Sequence, residues 1–234
     1  MSAMVSAPSW ALLPPLARAF GRVHDAAPTG RVVLFGDSDI ARWRDAEDEP
    51  SLRELAGGAG VARVGVDGAT MKDVAAFAPT LARKYGPLRA VVVCAGENDL
   101  AGGAAPADVL EGFRQTVGAC RASAADAARP VVPVAFLSTK LEPSTAAELG
   151  GAYGEANRLV REWAESQEQV AYIDTFARFC DGEGRPDPRY FAEDGLHLSR
   201  EGYRAWVDLV AAGVRALIPD PPRHQLPGSI HGLT

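Results

Sequence analysis

The amino-acid sequence predicts an α/β fold in which one parallel sheet of five strands is covered by helices on both faces, a three-layer sandwich. Two observations support this prediction. Short apolar runs without polar interruption, such as residues 32–35, are typical of strands that are buried on both faces. Five such runs alternate with segments of helical periodicity, an order that is typical of parallel strands joined by right-handed crossovers.

The five predicted strands follow one another without an internal repeat or a dividing linker. They span residues 32–35, 61–66, 90–95, 131–137 and 170–173. Pro133 indicates an edge strand or a bulge, because proline cannot donate a hydrogen bond to the sheet. We therefore expect a single domain over residues 1–234, with a core from about residue 31 to residue 217 and a proline-rich tail over 219–234.

The segments between the strands carry helical signals. Helices are expected within residues 1–30 and 40–55, after 67–70, from Pro106, after Thr145, and from Ser199 to 217. Thr145 and Glu148 have the spacing of a capping box, and Ser199 is expected to cap the last helix. Residues 174–193 contain glycine and proline, so a long functional loop is expected there.

Charge and composition exclude several classes of function. The formal net charge is −6 and no cluster of Lys and Arg is present, which excludes a general nucleic-acid binder. No apolar run approaches the ~20 residues of a membrane span. Pro14 and Pro15 interrupt the apolar stretch near the N-terminus, and the three cysteines are widely spaced. We expect a cytoplasmic enzyme whose partner is a small molecule.

Three residues that suit acyl transfer follow the first three predicted strands. They are Ser38, Gly68 and Asn98, in that order. Because the carboxyl ends of parallel strands meet at one edge of a sheet, we expect them to lie together. The backbone N–H groups of Ser38 and Gly68 and the side-chain amide of Asn98 are able to stabilise an oxyanion. The plainer alternatives are a helix-entry turn at Gly68 and an Asx-turn or helix cap at Asn98.

A serine nucleophile needs a base that accepts its proton, and histidine is the natural one. The sequence has four histidines: His24, His197, His224 and His231. His24 precedes the first strand, and His224 and His231 lie in the tail. His197 follows Asp194 by three residues, a spacing that lets the carboxylate bind Nδ1 and leaves Nε2 facing the serine. The plainer alternative for this pair is an exposed ion pair.

Four blocks of the sequence resemble those of the SGNH (GDSL-type) hydrolases. They are, in order, Gly36-Asp37-Ser38, Gly68, Gly96-Glu97-Asn98-Asp99 and Asp194-Gly195-Leu196-His197, within about residues 31–210. The resemblance implies a flavodoxin-like fold and ester hydrolysis through an acyl-enzyme without metal or cofactor. It also implies that Ser38 is the nucleophile, that His197 is the base and that Asp194 orients the base. Gly68 and Asn98 are implied as oxyanion donors.

Three further residues are candidates for substrate contacts. Asp39 departs from the family, whose members usually carry Leu, Ile, Met or Ser after the nucleophile. Its carboxylate either pairs with Arg42 at helical spacing, which is the plainer alternative, or faces the cleft and accepts hydrogen bonds from a polar substrate. Arg42 and Lys140 are the other two candidates, and each also fits an ordinary surface charge. No metal site is expected, because Asp181 and Glu183 lack the spacing of calcium ligands.

The leading hypothesis from the sequence is a serine esterase that removes a small acyl group, such as acetyl, from a carbohydrate-like or other polar alcohol. An acyltransferase would use the same acyl-enzyme with an alcohol or amine in place of water, and no motif separates the two. A non-catalytic binding module with the same fold is the alternative outside enzymes. The presence of every catalytic residue type argues against it.

Overall fold

The computed structural model describes residues 14–23, 32–44, 49–56, 60–122 and 132–218. Five strands form one sheet: β1 (Val32–Gly36), β2 (Val61–Gly65), β3 (Ala90–Cys94), β4 (Val134–Leu137) and β5 (Val170–Ile173). All neighbouring strands are parallel, in the order β2-β1-β3-β4-β5. This order is that of the flavodoxin-like fold. The predicted fold class is confirmed.

Helices cover both faces of the sheet. In chain order they are α1 (Pro15–Val23), α2 (Ser38–Arg42), α3 (Pro50–Leu55), α4 (Met71–Tyr85), α5 (Glu97–Ala101), α6 (Pro106–Ala122), α7 (Ala146–Glu165) and α8 (Arg200–Leu217). The predicted loop over residues 174–193 contains two short 3₁₀ turns, Ala177–Phe179 and Pro188–Tyr190. None of the described helices combines the length and the apolar composition that crossing a membrane requires.

Alternate side chains of the strands supply two hydrophobic cores, one on each face of the sheet. Val33 and Phe35 of β1 join the core that is covered by α1, α4, α6 and α7. Val32 and Leu34 join the opposite core, which is covered by α2, α3 and α8. Because both faces are covered, β1 is fully buried and reads in the sequence as a continuous apolar run.

Some local predictions need correction. Pro133 lies before β4, which is an inner strand, so it marks neither an edge nor a bulge. Thr145 does not form a capping box with Glu148, because its hydroxyl donates to Glu142 Oε2 instead. Ser199 caps α8 as predicted, accepting a hydrogen bond from the backbone N–H of Gly202.

Parts of the sequence-based predictions lie outside the described residues. These are the ends of the predicted single domain, including the tail over 219–234, and the three histidines His24, His224 and His231. The domain boundary therefore stays a prediction.

Two glycines permit close backbone approaches at the carboxyl end of the sheet, Gly36 to β3 and Gly65 to α2. A Cβ added to Gly36 would lie 1.8 Å from the backbone oxygen of Cys94. A Cβ added to Gly65 would lie 2.2 Å from the backbone nitrogen of Ala41 in α2. Both distances are far shorter than a van der Waals contact, so only glycine permits this approach.

We predict that Gly65→Ala lowers the free energy of unfolding by at least ~1–3 kcal/mol, because the added methyl group overlaps the backbone of α2. Gly118→Ala is the matched control: Gly118 is exposed in α6, and its added Cβ meets nothing within 4 Å. This control should gain about 0.5–1 kcal/mol from its helical position. Urea denaturation measures both changes, and equal stability of the two variants would contradict the close approach.

Candidate active site

Ser38 is the first residue of α2 and follows the carboxyl end of β1. The strands β1 and β3 are neighbours at the point where the strand order reverses, which is where open α/β sheets bind ligands. Asp37 caps α2 by accepting a hydrogen bond from the backbone N–H of Asp39, at 3.1 Å. Ser38 itself is partly exposed, whereas both of its neighbours are buried. Its hydroxyl is thus presented at the surface by a fixed turn.

His197 connects Ser38 with Asp194. Its Nε2 lies 3.2 Å from Oγ of Ser38, and its Nδ1 lies 2.6 Å from Oδ2 of Asp194. The other carboxylate oxygen of Asp194 accepts hydrogen bonds from the backbone N–H groups of Leu196 and His197, each at 3.0 Å. The loop before α8 therefore fixes both the carboxylate and the imidazole.

The hydrogen bonds to Asp194 determine its charge and the orientation of the ring. The hydrogen bond from His197, followed by the backbone N–H groups, lowers the pKa of Asp194 below its ordinary value. An ionised Asp194 at 2.6 Å assigns the Nδ1 proton to this bond, which leaves Nε2 free to accept a proton from Ser38. The NH1 group of Arg42 also lies 3.0 Å from Nδ1, and its NH2 group donates to Asp67 at 3.3 Å.

Gly68 and Asn98, two of the three predicted oxyanion donors, follow β2 and β3 in segments that are joined by hydrogen bonds. Gly68 follows β2 with a positive φ of 76° and is exposed. Asn98, in α5 after β3, donates from Nδ2 to the backbone oxygen of Ala69 at 3.0 Å. Next to it, Asp99 accepts a hydrogen bond at 2.7 Å from the backbone N–H of Met71, at the start of α4. These bonds hold the β2 and β3 loops together at the carboxyl edge of the sheet.

Lys140 lies in a buried cluster of carboxylates and not in an open cleft. Its Nζ lies 2.5 Å from Asp39, 2.9 Å from Glu142 and 3.4 Å from Glu97. The side chains of Lys140 and Asp39 are each only 2% exposed. This corrects two predictions: Asp39 pairs with Lys140 instead of Arg42, and burial removes both residues from contact with a substrate. Of the three candidate substrate-binding residues, only Arg42 is exposed.

Burial sets the protonation of this cluster. Desolvation, followed by the neighbouring carboxylates, raises the pKa of Asp37 well above its ordinary value. Desolvation also raises the pKa of Glu97 to about 8, against the lowering effect of Lys140. The surrounding carboxylates keep Lys140 charged by raising its pKa, although burial alone would lower it. At neutral pH, the cluster thus holds protons on some of its acids and keeps one ammonium.

One group of potential metal ligands occurs within the described ranges, formed by Asp37, Asp39 and Cys94, whose ligand atoms lie within 4.8 Å of one another. All three residues are buried. Lys140 already places a positive charge 2.5 Å from Asp39. A cation would therefore meet like charge at this position, and the cluster does not fit a metal site.

Sequence reasoning missed the roles of Glu97 and Tyr203, which hold Lys140 and the backbone of Asp39 in place. Glu97 accepts hydrogen bonds from both the backbone N–H and Nζ of Lys140. Tyr203 of α8 donates its hydroxyl proton to the backbone oxygen of Asp39, at 3.0 Å. A signal for Glu97 was present, since it lies three residues after the end of the apolar strand β3. For Tyr203 no local signal exists, because its partner lies 164 residues away.

The sequence and the structure were compared with known proteins. Residues 34–205 match the GDSL-like Lipase/Acylhydrolase family, a match that covers more than half of the chain. Among curated proteins, none matches the sequence significantly.

Similar solved structures share the fold at low sequence identity. A putative acylhydrolase from Bacteroides fragilis is 18% identical with a TM-score of 0.68, over 91% of this chain and 100% of that chain. A GDSL-like lipase from Bacteroides thetaiotaomicron is 19% identical with a TM-score of 0.64, over 85% and 95% of the two chains. The inhibitor-bound aryl esterase of M. smegmatis is 19% identical with a TM-score of 0.61, over 81% and 100%.

We predict that Lys140→Met lowers the free energy of unfolding by about 3–5 kcal/mol, because the buried carboxylates lose their counter-charge. The matched control is Lys72→Met, at an exposed lysine of α4, which should stay within about 0.5 kcal/mol of the parent chain. Combining Lys140→Met with Asp39→Asn should recover part of the loss. Urea denaturation at pH 7 measures all three variants, and a Lys140→Met chain as stable as its control would contradict the role of the cluster.

The raised pKa of Glu97 makes stability depend on pH. Folded Glu97 keeps its proton up to about pH 8, whereas its ordinary pKa is 4.5. Between these values the unfolded chain binds fewer protons than the folded chain, so the free energy of unfolding falls as the pH rises. The raised pKa of Asp37 changes the free energy of unfolding in the same direction. The lowered pKa of Asp194 makes the free energy of unfolding depend on pH only below the ordinary range of that carboxyl group, where stability is lost as the pH falls.

We therefore expect Glu97→Gln to reduce the loss of stability between pH 5 and pH 8, an effect on the order of a few kcal/mol. Denaturation curves of the parent chain and the variant at both pH values measure the difference. The same slope in both chains would show that Glu97 does not hold its proton in the folded state.

Proposed function

The chain belongs to the GDSL-like lipase/acylhydrolase family and is a serine hydrolase of esters, and on that premise we propose that it cleaves a small O-acyl ester through an acyl-enzyme on Ser38. One observation carries this proposal: the unbroken line of contacts from Ser38 Oγ through the two ring nitrogens of His197 to Asp194, at 3.2 Å and 2.6 Å. The described chain has both a nucleophile with a base in reach and a base with an orienting carboxylate.

In the proposed reaction, Oγ of Ser38 attacks the ester carbonyl carbon while Nε2 of His197 takes the hydroxyl proton. The tetrahedral intermediate collapses when the bond to the alcohol oxygen breaks, and His197 gives its proton to that leaving oxygen. A water molecule then attacks the acyl-enzyme by the same route, which releases the carboxylic acid and restores Ser38. Asp194 stays ionised throughout and stabilises the imidazolium.

The oxyanion of the intermediate needs donors that are already in place. We assign this role to the backbone N–H groups of Ser38 and Gly68 and to the side-chain amide of Asn98. One amide hydrogen of Asn98 is used on the backbone oxygen of Ala69, which orients the group. The second hydrogen is the one left for the oxyanion.

The class of alcohol rests on the surroundings of His197. The preference for polar alcohols that the sequence predicted from Asp39 loses its basis, because Asp39 is buried against Lys140. The exposed guanidinium of Arg42 beside the imidazole gives new support for a polar leaving group. The predicted cytoplasmic location stays a prediction.

We expect Ser38→Ala to reduce kcat/KM for a small acetyl ester by about 10⁴-fold or more while the chain stays folded. The parent chain should become labelled at Ser38 by a fluorophosphonate, and the variant should not. Ser166→Ala, at an exposed serine after α7, is the matched control and should keep both the rate and the labelling.

Full activity of a folded Ser38→Ala chain would contradict the proposal. Product analysis with an added alcohol distinguishes the acyltransferase alternative. If the products contain the acylated alcohol and no free acid, the acyl-enzyme reacts by transfer and not by hydrolysis.

A further inference from the structure

A cavity of about 360 Å³ lies beside Arg42, whose NH1 group is 3.0 Å from Nδ1 of His197. It is lined by Arg42, Trp43, Arg44, Glu49, Leu198, Arg200, Tyr203 and Arg204. Its volume lies within the range of small-molecule sites, about 300–1,000 Å³. It is separate from the buried Lys140 cluster, and nothing in the proposed hydrolysis uses it.

The lining is strongly cationic in a chain whose net charge is −6. Four arginines and a single glutamate, Glu49, line the cavity, and Arg42 is already paired with Asp67, which leaves an excess of two positive charges. Such a local field attracts and holds anions, because its sign is opposite to that of the chain as a whole.

Several surface arginines pair with carboxylates, as Arg42 of the cavity does with Asp67. Within the described ranges, each of the following binds a carboxylate: Arg158, Arg161, Arg185 and Arg189. In the same ranges, no acidic side chain pairs with Arg44, Arg200 or Arg204. Three acidic residues that follow Arg44 in the sequence, Asp45, Glu47 and Asp48, lie outside the described residues. Unpaired guanidinium groups retain their donors for a ligand.

The wall of the cavity is rigid. Trp43 is 2% exposed and its ring stacks on that of Tyr203, with centroids 5.8 Å apart. The hydroxyl of Tyr203 is fixed by its hydrogen bond to Asp39. Arg200 and Arg204 project from the first turns of α8, which carries Tyr203 between them. The backbone that carries these arginines is therefore fixed, which reduces the entropic cost of ordering their side chains around a ligand.

The position of the cavity indicates which part of a substrate it would hold. Leu198 directly follows His197, and Arg42 reaches to 3.0 Å from its Nδ1. In the proposed reaction, Nε2 of His197 delivers its proton to the leaving alcohol, so the alcohol is the part of the substrate that lies nearest to this ring and to Arg42. A group bound in the cavity thus belongs to the alcohol and not to the acyl chain.

We propose that the cavity binds a phosphate group and that the enzyme prefers acyl esters of phosphorylated alcohols. Guanidinium groups bind phosphate oxygens through paired hydrogen bonds. An excess of two positive charges is balanced better by a phosphate dianion than by a single carboxylate. The preference for such a substrate rests on the proposed function, whereas binding of the phosphorylated alcohol alone does not.

The test compares three acetyl esters that differ in the alcohol: acetyl glycerol, acetyl glycerol phosphate and O-acetyl glycolate. We expect kcat/KM for the phosphate ester to exceed that for acetyl glycerol by about tenfold or more at low salt. Arg200→Gln and Arg204→Gln should each reduce this ratio about tenfold, the effect of one lost charge-assisted hydrogen bond. These two residues are chosen because Arg42 also contacts His197.

Arg215→Gln is the matched control, because it removes the same charge from the far end of α8, where Arg215 pairs with Glu54. It should leave the ratio unchanged. Hydrolysis that requires Ser38 but shows equal rates for the phosphate ester and acetyl glycerol would overturn the inference and keep the proposed function. Equal rates for the phosphate ester and O-acetyl glycolate would overturn the assignment to phosphate.

Calorimetry with glycerol phosphate tests the cavity without turnover. Binding that is weakened by Arg200→Gln and Arg204→Gln, and kept in Arg215→Gln, supports the inference even where no ester is hydrolysed. Absence of glycerol phosphate binding by the parent chain overturns the inference. This result is expected if carboxylates of the chain itself pair with the cavity arginines.

Discussion

The ion pair between Lys140 and Asp39 is the constraint on which the arrangement at the carboxyl edge of the sheet depends. It joins the loop after β4 to the residue that follows the nucleophile, and both side chains are almost completely buried. The backbone of Asp39 is held as well, because its N–H donates to Asp37 and its carbonyl accepts from Tyr203. The turn that presents Ser38 therefore has little freedom, and a nucleophile gains from such fixation.

A buried ion pair of this kind is a poor source of stability, because the desolvation of both charges offsets their attraction. Its value here is positional. Lys140 also binds Glu97 from the β3 loop, and the next loop residues, Asn98 and Asp99, bind the β2 loop. The loops after four of the five strands are thus tied to one another by polar contacts that only one register satisfies. A purely apolar contact would fix these loops less specifically.

The sheet and the contacts among Ser38, His197 and Asp194 were predictable from the sequence, whereas the residues that support them were not. Apolar runs and helical periodicity are local signals, so the strands could be placed within a few residues. The positions of Ser38, Gly68 and Asn98 after the first three strands predicted that they lie at one edge of the sheet, and the three-residue spacing from Asp194 singled out His197. In contrast, Lys140 and Asp39 are 101 residues apart, and no local pattern distinguishes a buried lysine from an exposed one. Helical spacing wrongly favoured Arg42 as the partner of Asp39, because burial, which decides the pairing, was not visible.

The short helix α2 carries both a buried and an exposed charged side chain within five residues. Its first turn places Asp39 in the buried cluster, while its last residue, Arg42, lies in the exposed cationic cavity. Ser38 stands between these environments and contacts His197. Charge in the buried cluster is compensated within the protein, so it fixes geometry without attracting a ligand. In the cavity, Arg44, Arg200 and Arg204 lack acidic partners among the described residues, so their charge is available to the proposed substrate. In the proposed reaction, the same helix therefore positions the nucleophile and also supplies Arg42 to the cavity that binds the leaving group.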